Sequence, residues 1–93
     1  MIAWSMQDRK GCSRKGQMTV EQMRKELLWF ERQAVKTMKE TGADHVLYGM
    51  KIFNRDNELV TVQFCILPMS DAEFRRLTKK INNVMVYALH KQP

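Results

Sequence analysis

Cysteine is scarce in this chain: Cys12 and Cys65 are the only two among 93 residues. That is too few for a disulfide framework. Histidine is as rare, with His45 and His90 in separate parts of the sequence. A metal site would need these four residues to converge from four distant places, so none is expected. With only four glycines and two prolines, the chain has no glycine-rich phosphate loop, no nucleophile elbow and no low-complexity tract. No cofactor is expected. No apolar run approaches the ~20 residues of a membrane span. The opening stretch 1–6 is shorter than the roughly 7–15 residues of a secretory h-region, and its charges follow it instead of preceding it. The expected compartment is the cytoplasm.

What is present describes a folded domain. Hydrophobic residues make up 44% and charged residues 28%, which excludes a wholly disordered chain. The length fits one domain and not two. The net charge of +6 is unevenly placed. Residues 1–17 carry Arg9, Lys10, Arg14 and Lys15 against Asp8, a balance of +3. Residues 18–69 are neutral, and residues 70–93 again balance to +3. Segment 7–17 is polar, holds Gly11 and Gly16 and shows no periodicity, so it reads as a loop or basic arm. Met18 is a second candidate start, which would make everything before it an upstream extension. The expected division is an arm over 1–17, with a short strand as an option for 1–6, and one α+β domain over 18–93.

Within that domain, Thr19 and Gln22 form a capping box, since each side chain can satisfy a backbone donor left unpaired at a helix start. Val20, Met23, Leu27, Phe30, Ala34 and Met38 recur at helical spacing, with Leu28 and Val35 widening the stripe. Gly42 suits the left-handed residue after a helix, so the pattern predicts a helix from Val20 to Thr41. Period-two alternation predicts strands over 45–53 and 59–66, joined as a hairpin by Asn54–Asn57. Val46, Tyr48, Met50 and Ile52 share one face of the first. Val60, Val62, Phe64 and Ile66 share one face of the second, which Pro68 should end. Ser70 and Glu73 form another capping pair before a second helix with Phe74, Leu77 and Ile81 on its apolar side.

After Asn82-Asn83 the apolar run 84–89 fits helix and strand equally. The expected fold is therefore a two-layer α+β domain, with two helices on one face of an antiparallel sheet and an α-β-β-α core. It extends to a ferredoxin-like β-α-β-β-α-β unit if 1–6 and 84–89 are strands. With only two strands the sheet would be marginal, and a homodimer would be expected.

The functional candidates are few. Arg75, Arg76, Lys79 and Lys80 share a strip of the second helix at i,i+4 spacing, where like charges repel and phosphate oxygens would relieve them. Arg9, Lys10, Arg14 and Lys15 add a basic element of the kind that tracks phosphates. Phe53, Lys51 and Gln63 fall on the outer hairpin face, a pattern suited to stacking single-stranded bases. Asp44 beside His45 could orient an imidazole for base catalysis, but no nucleophile neighbours it. Asp56 and Glu58 lie at the hairpin turn and read as solvating residues, and Cys65 is expected as an accessible free thiol. The eight methionines suit a core of irregular shape. Together these point to a small non-enzymatic binding module with DNA or RNA as partner. The alternative is a protein-interaction or inhibitor module acting through 84–89 and the sheet face.

Overall fold

The computed structural model describes residues 1–7 and 13–92. Arg9, Lys10 and Cys12 lie outside them. Seven elements follow one another: β1 (Ile2–Gln7), β2 (Ser13–Met18), α1 (Val20–Thr41), β3 (His45–Phe53), β4 (Leu59–Met69), α2 (Asp71–Lys80) and β5 (Val84–His90). The strands form one sheet in the order β2-β1-β4-β3-β5. The class is α+β, with two helices against a five-stranded sheet.

Several expectations are corrected here. The sheet is mixed, because β1 runs parallel to β4 while every other neighbouring pair is antiparallel. Segment 13–18, expected as loop or arm, is a strand. Its own propensity is poor, but it is held in six-residue register with β1, from Ile2↔Met18 to Gln7↔Ser13. Met18 closes that strand and is itself buried, and Ile2–Gln7 and Ser13–Gln17 before it belong to the sheet. The element feeding α1 is thus β2, and the order is neither α-β-β-α nor a six-element β-α-β-β-α-β unit. With five strands paired, the premise for a dimer joining two hairpins is gone.

α1 forms as its sequence directs. Gln22 donates its backbone N–H to the Thr19 hydroxyl at 3.1 Å, and Thr19 returns the bond to the Gln22 side chain at 2.9 Å. Gly42 adopts φ +66° and donates to the Met38 carbonyl. Met23, Phe30 and Ala34 are buried against Val46, Tyr48, Val62 and Phe64. Val20, Leu28 and Val35, expected on the apolar stripe, stand in water.

Two irregularities redistribute the strand faces. Between Leu47 and Gly49 the register shifts against both neighbours of β3. Tyr48 and Gly49 then both face α1, where a Cβ on Gly49 would sit 3.1 Å from Leu27 Cδ2. Alternation beyond the bulge carries Lys51 to the α1 side and sends Met50 and Ile52 to the other. A second shift between Ile52 and Phe53 brings Leu59 to the core and leaves Val60 exposed. β4 also runs through Pro68, which pairs with Val46. Pairing with β1 ends at Phe64, so Pro68 lies where one side of β4 has no ladder to break.

The two helices do not share a face. Val46 and Leu89 point into the α1 core, so His45 and His90 point away from it. Phe74 of α2 stacks on the His45 ring at 4.3 Å and meets His90 edge-on at 5.3 Å. α2 therefore lies against the opposite side of the sheet, making three layers. It buries none of its own residues. The run 84–89 is strand, started after Asn83 takes φ 58°, a conformation asparagine tolerates.

Candidate nucleic-acid interface

The four cations of α2 do not behave alike. Asp71, one helical turn before Arg75, accepts from Arg75 Nε at 2.9 Å. The strip thus contains an acid that relieves one of its charges, contrary to the sequence expectation. Arg76, Lys79 and Lys80 are exposed. Among the described residues, the only pair between a fixed cation and a carboxylate is Arg75–Asp71, and His45 lies in hydrogen-bond contact with the same carboxylate. Because α2 contributes no buried side chain, its polar face stands clear of the sheet.

The basic residues of β2 diverge. Arg14 pairs with Met6 on the α1 side, while Lys15 pairs with Ser5 on the other. Phe53, Lys51 and Gln63 do not assemble as a stacking face. Lys51 lies beside Val62, with its ammonium 5.4 Å from the Tyr87 ring centroid. Gln63 lies beside Met50 on the opposite side. The bulge at Tyr48, invisible to simple alternation, separates them.

A polar cluster that the sequence did not reveal anchors the start of α2. His45 Nε2 donates to Asp71 Oδ1 at 2.8 Å, and His45 Nδ1 meets His90 Nδ1 at 2.7 Å, a contact that needs one proton between two nitrogens. The hydrogen bond from His45, with Arg75 beside it, holds the Asp71 carboxyl below its ordinary value. Asp44 does not orient His45. Its carboxylate instead accepts from the Asp71 backbone N–H at 3.1 Å, and its carbonyl accepts from Lys91 N at 2.8 Å. The His45↔His90 register makes this meeting possible, and it follows only once 84–90 is a strand.

Cys65 is half-buried, and its thiol donates to the Leu47 carbonyl at 3.7 Å. Burial pushes it up to about 11, so it is not the accessible thiol expected. Among the described residues, no three His, Cys, Asp or Glu side chains converge as a metal would require, and no helix is long and apolar enough to cross a membrane.

Two grooves flank β1. One, of about 410 Å³, lies on the side away from α1 over Leu47, Met50, Gln63 and Cys65. The other, of about 660 Å³, opens between α1 and the β1–β2 hairpin, with Trp4, Trp29, Phe30, Arg14, Lys25 and Glu26 in its lining. No family model, curated protein or solved structure matches the chain.

Proposed function

We propose that this chain is a non-enzymatic module that binds nucleic acid through backbone charge. The observation that carries the reading is the exposed set Arg76, Lys79 and Lys80, with no carboxylate in ion-pair range among the described residues. Lys79 and Lys80 also suit the negative end of the helix dipole. Arg76 sits mid-helix and gains little from it, yet its charge is equally uncompensated. Arg75 is excluded from the contact set because Asp71 already holds it. Arg14 and Lys15, with Arg9 and Lys10 between the two strands in sequence, form the auxiliary element.

Three phosphate contacts give a salt slope near −2.7 on duplex and near −2.1 on single strands, so affinity should fall about twenty- to fortyfold between 50 and 200 mM salt. Reversing Arg76, Lys79 and Lys80 together to glutamate should abolish binding while leaving the chain folded, at a cost of up to about 3 kcal/mol because two anions then stand at the negative end of the helix dipole. Unchanged affinity in that variant, or no binding to mixed DNA or RNA at either salt, sinks the proposal.

A second reading draws on the open side of β5. Among the described residues this strand pairs only with β3, so its other edge presents unpaired backbone groups, with Met85 half exposed beside them. Such an edge accepts a strand from a partner protein or from a second copy. A concentration-dependent dimer that a proline at an edge position of β5 abolishes would favour it.

A further inference from the structure

We propose that the groove between α1 and the β1–β2 hairpin seats one unpaired base of a single-stranded nucleic acid, stacked on Trp4 and Trp29, with the adjoining phosphate held by Arg14 and Lys25. This rests on the nucleic-acid reading above and adds to it a preference for single strands.

The groove is built by aromatic residues whose positions are fixed from behind. Trp4 pairs with Gly16 across the hairpin. A Cβ at residue 16 would come within 3.0 Å of Trp4 Nε1 and 3.3 Å of two further ring atoms. The indole therefore occupies the space that any other residue at 16 would claim, and the β2 backbone supports it. Trp29 is held differently. Its ring meets Phe30 edge-on at 5.0 Å, and Phe30 stacks on Phe64 at 5.2 Å. Phe30 and Phe64 are both core residues, 5% and 1% exposed, while Trp29 is 52% exposed. Half of its surface thus remains open beside the groove, with the packed Phe30 ring behind it.

The charges select the occupant. Among the described residues neither Arg14 nor Lys25 forms an ion pair, and Glu26 is the one carboxylate in the lining. The rim therefore carries an excess of positive charge over an apolar floor. A purely apolar guest leaves the two cations unused, and a simple anion leaves the aromatic walls unused. A nucleotide answers both, since its base is a flat ring and its phosphate an anion. Glu26 adds an acceptor for a base's exocyclic amino group. The volume, about 660 Å³, is within the range of roughly 300–1,000 Å³ typical of small-ligand sites. Bases in a duplex are stacked on each other and cannot enter, so the site discriminates by strandedness.

The chain contains only these two tryptophans, so emission excited selectively from tryptophan, and not from Tyr48 or Tyr87, reports on the groove alone. The full chain is titrated at low salt with short mixed-sequence oligonucleotides, single-stranded and duplex, of DNA and of RNA. Single strands should quench tryptophan emission and duplexes should leave it nearly unchanged. Trp29→Ala should weaken single-strand binding about tenfold or more with duplex affinity unaltered, and Trp29→Phe should restore most of the loss. If both forms bind with salt dependence, and binding is lost on reversing the α2 cations but untouched by Trp29→Ala, the groove assignment is overturned and the charge reading stands. If no oligonucleotide binds at any salt, both fall together.

Discussion

Replacing Leu47 with alanine tests the three-layer architecture at its least obvious point. On alternation alone Leu47 belongs to the outer face of the hairpin, where water would meet it. In the fold it is 2% exposed, on the side away from α1, and α2 is the one described helix there. Three buried carbons are removed, and at about 0.8 kcal/mol each the transfer loss is near 2.4 kcal/mol. A closed cavity would add roughly 24 cal/mol per Å³ of unfilled space. Leu47 also lines the open 410 Å³ groove, so neighbours and solvent can relax into the gap and this addition is small. The expected loss is about 3 kcal/mol, a large part of the roughly 5–14 kcal/mol that a chain of this size holds. Urea denaturation should show it as a lower midpoint at constant slope, and the melting temperature should fall by about 12–24 °C. Leu28→Ala, on the water side of α1 at 55% exposure, should change stability by less than about 0.5 kcal/mol. A loss at Leu47 below about 1 kcal/mol would refute the reasoning, because it would mean that the side chain is not enclosed on this face of the sheet.

Two further outcomes follow from the polar chemistry. In a Cys12→Ser background, Cys65 should alkylate at pH 8 about a hundredfold more slowly in the folded chain than in urea, since burial raises its thiol from 9.0 to about 11; equal rates would contradict the burial. The Asp71 carboxyl is lowered on folding, chiefly by the His45 hydrogen bond, so its contribution is complete above the ordinary carboxylate range and disappears as pH falls through the lowered folded value. Asp71→Asn should therefore be less stable than the parent at pH 7, with the difference shrinking as pH falls through the lowered folded value and the loss at pH 7 concentrated in α2 amide exchange. A pH-independent difference would show that the carboxylate charge plays no part.

The elements were largely legible because local chemistry decides them. Thr19, Gln22 and Gly42 mark the limits of α1 by hydrogen bonds that reach only three or four residues. Ser70 marks the start of α2 in the same way. Their assembly was not legible. Alternation has a period of two, and a single extra residue inverts every side chain beyond it. The bulge at Tyr48 has this effect, exchanging Met50 and Ile52 for Gly49 and Lys51 on the α1 side. Gly49 was the one available sign, since a glycine inside a strand pattern often marks a bulge. Strand β2 was hidden for a different reason. Ser13, Arg14, Lys15, Gly16 and Gln17 have low strand propensity, and only pairing with β1 holds them extended. On an outer strand those charges and that glycine are an advantage, because they discourage edge-to-edge association.

The candidate site divides along the same line. The α2 strip needed only helical spacing, and it was found. The missing correction was Asp71, four residues ahead of Arg75, which the same spacing rule would have supplied had it been applied toward the N-terminus. The aromatic groove needed the hairpin, because Trp4 and Gly16 become neighbours only when β1 and β2 pair, and Trp29 joins them from another layer. Two signals did exist in the sequence. A tryptophan near the start of a polar, basic segment must lose its hydration cost somewhere, and a glycine twelve residues later, in a chain with only four, marks a place where something approaches the backbone closely. Read together, they imply a hairpin with an indole laid across it. Arg14 then follows onto the same face two residues before Gly16, by the alternation that failed in β3 and holds here because the β1–β2 ladder is unbroken.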